Sequence, residues 1–302
     1  MYVKIRTFIA SIVMLCAGFT FIAAPAFADQ PANSAAGGML SYNWAGYVAQ
    51  NGNYTSVSGS WVVPQISQST TPGADAAWVG IGGVTGSDLI QTGTQAMTNP
   101  AGQVSYQAWY ETLPQTSQTI PLTINVGDSV SASITEQSTN QWLISFTDNT
   151  SGKNFQTSIS YNSSLSSAEW VEEMPLVNNG FAPLDNFGTV QFSGGSAVQN
   201  GSSVTIAGAG AQTMSMVNSG NQVLASVSPL GIDGQSFSVT RSSVASTGSS
   251  GYATTRGNGF GRRGGMRVQR IIIQSSAGNN HIRQQRQYTL YSMPHFRFSV
   301  WR

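Results

Sequence analysis

The densest group of acidic side chains in the chain is the run Glu169-Trp170-Val171-Glu172-Glu173. On a strand, Glu169 and Glu173 face one way and Glu172 faces the other, and on a helix Glu169 and Glu173 also share a side. Two carboxyls on one face raise each other's pKa, because one negative charge disfavours the second. Such a pair suits general acid–base catalysis. A run of charges is also typical of a solvated surface, so the cluster alone leaves both interpretations open.

Two other segments place polar side chains among apolar and aromatic ones. Gln91 lies at the end of an apolar, strand-like run. Further along, strand alternation predicts Trp109 and Glu111 on one face and Tyr110 on the other. A tryptophan beside a carboxylate on a sheet face can line a substrate groove. Taken singly, each residue also fits an ordinary role, since a core tryptophan and a hydrogen-bonded strand amide are both common.

The distribution of histidine and cysteine excludes several classes of enzyme. Residues 29–240 contain neither type; the two histidines are His281 and His295, and the single cysteine is Cys16. A Ser-His-Asp or Cys-His catalytic group cannot be built in that span, and neither can a zinc site with the usual ligands. The remaining acid–base groups are carboxylates, assisted by amides. We therefore expect no metal and no cofactor.

Charge is divided unevenly along the chain. All twelve acidic residues lie between Asp29 and Asp233, where Lys153 is the only basic residue, so this span has a formal charge of −11. In strong acid the carboxyls, with pKa values of about 4, become neutral, and almost no positive charge remains to expand the fold by repulsion. The composition favours a protein that stays folded at roughly pH 2–4. The alternative is an acidic extracellular protein with no special pH range.

The N-terminus has the pattern of a targeting signal. Lys4 and Arg6 precede an apolar stretch that ends at Ala24, and Ala26-Phe27-Ala28 follows as a small-x-small cleavage pattern. This predicts a secretory signal peptide over residues 1–28. The mature protein is then secreted, extracellular and without stable membrane association.

Two segments flank the main part of the chain. Residues 29–40 are small and polar and are predicted to form a flexible lead. Residues 241–302 form an arginine-rich tail with ten arginines and no acid. Its first part, Ser242–Gly265, has a Ser/Gly/Arg composition typical of disorder. The tail is interpreted either as a cationic extension attracted to acidic polymers or as a disordered or non-native segment, and the second interpretation is favoured.

The segment 41–240 is predicted to be one all-β domain. It is rich in Ser, Thr, Gly, Val and Tyr, and turn residues recur about every 8–12 positions. Runs such as YTSVSGSWVVP, QWLISFTD and SSVTIAG alternate or carry β-branched and aromatic residues, which is typical of strands. Many short strands separated by turns indicate an antiparallel sandwich or barrel.

Six motifs in this domain, in order along the chain, resemble those of the glutamic peptidases, the eqolisin or G1 family. The matching segments are Asn43-Trp44-Ala45-Gly46, Ala77–Gly83 (AWVGIGG), Leu89–Gly93 (LIQTG), Tyr106–Glu111 (YQAWYE), Ala168–Glu173 (AEWVEE) and Pro183–Phe192 (PLDNFGTVQF). One such motif is weak evidence, whereas six collinear motifs are specific.

The resemblance implies a fold, an activity and a pair of catalytic residues. The implied fold is an antiparallel β-sandwich of two sheets with about seven strands each, of the concanavalin A-like lectin and glucanase type. The implied activity is that of a secreted acid endopeptidase. Transfer of the motifs makes Gln91 and Glu173 the catalytic dyad: Glu173 activates water as general base and later acts as acid, and Gln91 stabilises the oxyanion. Glu169 is not catalytic by this alignment.

The same resemblance suggests which side chains shape the substrate cleft. We expect Trp44, Trp78, Trp109, Tyr110 and Glu111 to do so. Two positions depart from the fungal members of the family, which have Asp where this chain has Gly82 and Gln95. The pH optimum and the specificity of the fungal enzymes therefore cannot be transferred.

Protein or peptide substrates are the expected partners, with no nucleic acid required, and a monomer is expected. An alternative function remains open on the same β-sandwich. A glycan hydrolase could use Glu111 and Glu173 as its carboxyl pair, and a carbohydrate-binding, lectin-like module could stack its aromatic side chains on sugars.

Overall fold

The computed structural model describes residues 38–67, 71–177, 180–244, 268–275, 284–291 and 297–298. The predicted signal peptide over 1–28 and most of the predicted lead, residues 29–37, lie outside the described residues. Within the described residues no helix is long and apolar enough to cross a membrane.

Twenty-one strands make up the described structure. The first eleven are β1 (Met39–Ser41), β2 (Trp44–Gln50), β3 (Tyr54–Val62), β4 (Gly73–Gly82), β5 (Leu89–Thr98), β6 (Val104–Thr112), β7 (Gln118–Ile120), β8 (Ser129–Ser138), β9 (Gln141–Asp148), β10 (Lys153–Ser160) and β11 (Ser167–Glu173). The others are β12 (Leu176–Val177), β13 (Gly180–Phe181), β14 (Thr189–Gln199), β15 (Ser202–Thr205), β16 (Gln212–Val217), β17 (Val223–Val227), β18 (Phe237–Arg241), β19 (Val268–Ser275), β20 (Gln284–Tyr291) and β21 (Arg297–Phe298).

Two layers of antiparallel strands follow from the pairings. The front layer runs in the order β7-β6-β5-β4-β11-β2-β16. The back layer runs β10-β9-β8-β3-β14-β18-β17. Because β16 also pairs with β17, the hydrogen-bonded sheet continues from one layer to the other and forms a nearly closed, sandwich-like barrel. The predicted all-β antiparallel class is confirmed; two separate seven-stranded sheets of the concanavalin A type stay a prediction.

Side-chain burial explains why the strands of the two layers have different patterns of polar and apolar residues in the sequence. Strands of the back layer, such as β9, alternate between buried and more exposed residues, as expected when one face meets solvent. The strands β4 and β11 of the front layer are buried at every position. Such strands have apolar or small residues on both faces, and any polar side chain they carry is held inside the protein.

The front layer separates two groups of buried apolar side chains. The main core lies between the layers and includes Trp61, Phe146 and Trp170. A second cluster, which includes Trp44, Trp78, Trp109, Val171 and Met214, lies on the opposite face of the front layer. This second face carries the predicted site residues, and we call it the site face.

The C-terminal part of the chain adds three strands to the structure. β19 and β20 pair with each other, and β20 pairs in parallel with β1. β21 pairs in parallel with β12. The sequence indicated no strands in the tail, and the predicted flexible lead, residues 29–40, included Met39 and Leu40 of β1. The predicted domain ended at residue 240, whereas β18 continues through Arg241. Arg241 Nη1 donates hydrogen bonds to the carbonyl oxygens of Leu224, Ser242 and Val244.

Candidate active site

Glu173 lies on the site face at the last position of β11. It is opposite Trp44 of β2 on one side and Ala76 of β4 on the other. The side chain is fully buried. Trp78 Nε1 donates a 2.8 Å hydrogen bond to its Oε2, and Asn43 Nδ2 donates a 3.3 Å hydrogen bond to its Oε1. The two donors hydrogen-bond both oxygens of the carboxyl and orient it inside the protein.

Asn43 is itself held in place by its neighbours. Ser41 donates its hydroxyl to Asn43 Oδ1 at 3.1 Å, which turns the amide nitrogen towards Glu173. The backbone N–H of Met174 donates to the carbonyl of Asn43 at 2.8 Å. These bonds fix the end of β11 against the start of β2 and orient the carboxylate of Glu173.

Two glycines make room for the Trp78 side chain. A Cβ at Gly80 would lie 2.8 Å from Cζ3 of Trp78, and a Cβ at Gly93 would lie 2.5 Å from its Cβ. Trp78 therefore extends over Gly80, and its indole N–H reaches Glu173. The T-shaped contact with Trp44, with ring centroids 4.8 Å apart and planes at 78°, supports the same orientation.

Gln91 lies on β5 between Gly80 of β4 and Glu111 of β6. Its side chain is fully buried, and Nε2 donates a 2.7 Å hydrogen bond to Glu111 Oε2. Among the described residues, Oε1 of Gln91 has no hydrogen-bond partner. An amide nitrogen has two N–H groups, so the bond to Glu111 fixes the amide plane and leaves one N–H and one carbonyl oxygen for other groups.

Gln91 and Glu173 project from the same face of the same sheet. They belong to β5 and β11, on either side of β4, and Trp78 occupies the intermediate position on the diagonal between them. Their register differs by four residues over two strand spacings, which on a flat sheet would separate the Cα atoms by about 16 Å.

The predicted cleft residues fall into two groups. Trp44 and Trp109 lie on the site face but are buried in its apolar cluster. Trp44 Nε1 has no hydrogen-bond partner among the described residues. Tyr110 lies on the opposite face, where its ring stacks on Phe155 with centroids 6.1 Å apart. Side chains alternate between the two faces of β6, so Tyr110 points away from the site face. The prediction that Tyr110 shapes the substrate cleft is therefore corrected.

Glu169 is a second buried carboxyl on the site face. It lies opposite Gly80, on the same register row as Gln91. Burial raises the pKa of Glu169 well above its usual range, and the nearby charge of Asp88 adds to the rise. A carboxyl that keeps its proton cannot serve as a base at acid pH, which distinguishes Glu169 from the hydrogen-bonded Glu173.

Ser41 and Asn43 were not predicted as site residues from the sequence. Asn43 begins the NWAG motif, so its position next to Trp44 was a usable signal, but its contact with Glu173 spans 130 residues of chain.

Within the described residues, no group of three or more His, Cys, Asp or Glu side chains is placed to hold a metal ion.

A cavity of about 430 Å³ opens beside the site face at β5, β6 and β7. Gln95 in its lining lies on the register row of Glu173, with Ala76 between them. Gln95 donates to Gln107 Oε1 at 2.9 Å, and Gln107 donates to Thr119 Oγ1 at 2.6 Å. This row of neutral polar groups extends the site along the sheet.

This chain is similar to several known proteins. The profile of the Peptidase A4 family matches residues 42–256. Aspergillopepsin-2 of Aspergillus niger is 28% identical over 189 residues, which cover 54% of this chain and 67% of the relative. Scytalidopepsin B of Scytalidium lignicola is 32% identical over 177 residues, which cover 54% and 66%. The structure of scytalido-glutamic peptidase with a peptide-based transition state analog has a TM-score of 0.58 and 28% identity, covering 67% of this chain and 98% of that chain.

Proposed function

Because this chain belongs to the Peptidase A4 family, the glutamic peptidases, we propose that it hydrolyses peptide bonds through a dyad of Glu173 and Gln91. The family resemblance found in the sequence is thereby confirmed, and the chain is a glutamic endopeptidase. The proposal concerns which residues carry out the reaction. It rests on one observation: a buried Glu173 carboxyl with two hydrogen-bond donors shares a sheet face with Gln91.

The first step requires a base. As a carboxylate, Glu173 removes a proton from a water molecule, and the water oxygen attacks the scissile carbonyl carbon. The indole of Trp78 and the amide of Asn43 keep the carboxylate oriented while it takes the proton. The carbonyl π bond breaks and its oxygen becomes an oxyanion.

Stabilisation of the oxyanion falls to Gln91. One N–H of Gln91 is engaged with Glu111, and the second donates to the oxyanion. Its carbonyl oxygen is free to accept from the attacking water. A neutral donor carries no group that titrates in acid, so this function is maintained over a wide pH range. Protonated Glu173 then gives its proton to the departing amine as the C–N bond breaks, because nitrogen leaves poorly as an anion.

The site face suits an extended peptide substrate. The register row of Glu173 and Ala76 continues to Gln95, which lines the 430 Å³ cavity. A related structure was solved with a peptide-based transition state analog, which supports a peptide in the corresponding place here. The neutral side chains of Gln95 and Gln107 would hydrogen-bond the peptide without demanding a charged residue.

The proposed setting is acidic and extracellular. The span 29–240 has a single basic residue and a formal charge of −11, so protonation of its carboxyls leaves little net charge. Secretion follows from the signal peptide predicted over residues 1–28. A monomer that acts on soluble proteins or peptides fits these features.

The alternative of a glycan hydrolase or lectin-like module on a concanavalin A-like sandwich is not favoured. Glu111, its candidate second carboxyl, is 1% exposed and accepts a hydrogen bond from Gln91. It is therefore engaged with the neighbouring amide instead of standing open across a sugar site.

Digestion of casein at acid pH tests the proposal. Glu173→Gln removes the base and is expected to lower kcat by at least about 10²-fold. Gln91→Ala removes the oxyanion donor and is expected to lower it by about 10²–10³-fold. Circular dichroism should show both variants folded, and Glu136→Gln, a change on the back layer, serves as the matched control. Full activity in a folded Glu173→Gln or Gln91→Ala protein would overturn the dyad.

A further inference from the structure

A second pair of carboxyls lies behind the site, on the opposite face of the same strands. Asp75 of β4 is 2% exposed and Glu172 of β11 is fully buried. Glu172 directly precedes Glu173, so its side chain points away from the site face and into the main core. The proposed mechanism uses neither carboxyl.

The neighbours of this pair are small and offer no donors. Glu172 lies opposite Ala45 and Ala77, and Asp75 lies opposite Ala96. Among the described residues, both oxygens of Glu172 and Oδ1 of Asp75 receive no hydrogen bond from an N–H or O–H group. Two ionised carboxyls can only accept, whereas a protonated one donates. A proton on one of them therefore allows that carboxyl to donate a hydrogen bond to the other.

We propose that Asp75 and Glu172 share a proton, and that this shared proton holds β4 and β11 together. Loss of the proton at higher pH then destabilises the fold, which is therefore confined to acid conditions. The ligand of this site is the proton itself. The inference concerns stability, and it does not depend on which residues hydrolyse the peptide.

The electrostatics of the pair favour retention of the proton. Burial raises the pKa of Asp75 well above its usual range, and the charge of Asp185 adds to the rise. Burial likewise raises the pKa of Glu172, and the charge of Asp75 and the hydrogen bond with Asp75 raise it further. Both oxygens of Glu172 but only Oδ1 of Asp75 lack a hydrogen-bond donor among the described residues, so the shared proton is assigned to Glu172, which donates to Asp75.

The groups that face the pair are acidic or neutral. Asp185 approaches Asp75 and accepts a 2.9 Å hydrogen bond from Thr98. Tyr106 of β6 lies within reach of the charges of Asp75 and Asp185. From the site face, the charge of Glu173 also raises the pKa of Glu172.

The two basic residues of the span 38–244 are engaged elsewhere. The positive charge of Lys153 helps to lower the pKa of Asp148. Arg241 donates hydrogen bonds to backbone carbonyl oxygens. Ionisation of both members of the pair would therefore place two uncompensated negative charges in the core.

The test measures unfolding of the full chain against pH. Wild type is expected to lose its fold as pH rises above the range where the pair keeps its proton. The double variant Asp75→Asn/Glu172→Gln keeps a donor and an acceptor without a titrating proton, and its pH midpoint of unfolding should move up by about one unit or more. Glu136→Gln controls for the loss of an acid elsewhere and should keep the wild-type midpoint. An unchanged midpoint in the double variant would overturn the proposal.

A spectroscopic measurement covers the case in which the double variant fails to fold. Wild type labelled with ¹³C at glutamate carboxyls should show protonated resonances at pH 6 in the folded state, and Glu172→Gln should lose one of them. If every glutamate carboxyl of folded wild type were ionised at pH 6, the shared proton would not exist. Because these readouts need no peptidase activity, a failure here is distinguishable from a failure of the catalytic dyad.

Discussion

Trp78 and Glu173 are joined by a 2.8 Å hydrogen bond from the indole Nε1 to Oε2, although 95 residues separate them in the chain. Through this bond a neutral donor that does not titrate contacts the carboxyl that the proposed mechanism uses as a base. An indole N–H remains a donor at any pH. We therefore propose that Trp78 is a positioning residue for Glu173 and not a surface for stacking on a substrate.

Trp78→Phe tests this role, since it removes the donor and keeps an aromatic ring. Loss of a hydrogen bond to a charged group costs about 1.5–3 kcal/mol, and we expect kcat to fall by about 10–100-fold. The acid limb of the pH–rate profile should also move to higher pH, because the carboxylate loses a group that stabilises its ionised form. Trp44→Phe is the matched control, since its Nε1 has no partner among the described residues, and its acid limb should stay in place. Equal shifts in both variants would contradict the assigned role.

Glu111 is expected to act on the reaction through Gln91. Its Oε2 accepts the 2.7 Å hydrogen bond from Gln91 Nε2, which fixes the amide plane. Glu111→Leu should lower kcat more than it changes KM, because the freed amide no longer points at the oxyanion. Glu111→Gln keeps an acceptor of similar shape and should restore most of the activity. Steady-state kinetics on an acid-stable peptide substrate at acid pH measure both effects, and a change confined to KM would make Glu111 a substrate-binding residue, as the sequence predicted.

Glu169 and Glu173 compete as the base, because both are buried on the site face. Glu169 is nearer to Gln91 by register, but burial raises its pKa well above its usual range. We therefore expect Glu169→Gln, which mimics the protonated form, to retain most of the activity. Glu173→Gln should be inactive under the same conditions. Inactivity of a folded Glu169→Gln protein beside an active Glu173→Gln protein would reverse the assignment.

The sequence predicted the strands and the orientation of most site residues, because both follow from local alternation. It placed Glu172 on the face opposite Glu173, and β11 has this geometry. It could not identify Asp75 as the neighbour of Glu172, since that contact depends on the register between β4 and β11. The bond from Asn43 to Glu173 was missed for the same reason. Tyr110 was assigned to the cleft because it belongs to a matching motif, but it lies on the opposite face of β6. A motif match alone therefore does not show which face of a strand a side chain occupies.

The boundary of the folded domain can be tested by truncation. A chain of residues 38–244 keeps β1 paired with β16 and keeps the three carbonyl acceptors of Arg241. We expect it to fold and to remain active in acid without the rest of the tail. A chain that ends at residue 240 loses Arg241 and should melt lower, by about 2–4 °C for each kcal/mol lost. Thermal denaturation of the two chains and the full chain gives the comparison, and failure of the 38–244 chain to fold would show that β19–β21 are part of the domain.

The stability of the wild-type protein should fall as pH rises. Burial raises the pKa of Asp75, Glu172 and Glu169 well above their usual range, and that of Asp185 to about 6. A raised carboxyl pKa means that the folded chain holds protons that the unfolded chain releases. The stabilisation is therefore complete below about pH 4, the ordinary carboxyl pKa, and declines as pH rises towards the folded-state values. Each extra proton held by the folded state lowers the free energy of unfolding by about 1.4 kcal/mol per pH unit. Urea denaturation at intervals between pH 3 and pH 7 measures the slope, and for Asp185 the decline should end near pH 6. A free energy of unfolding that is constant or rises across this range would show that the buried carboxyls ionise freely in the folded protein.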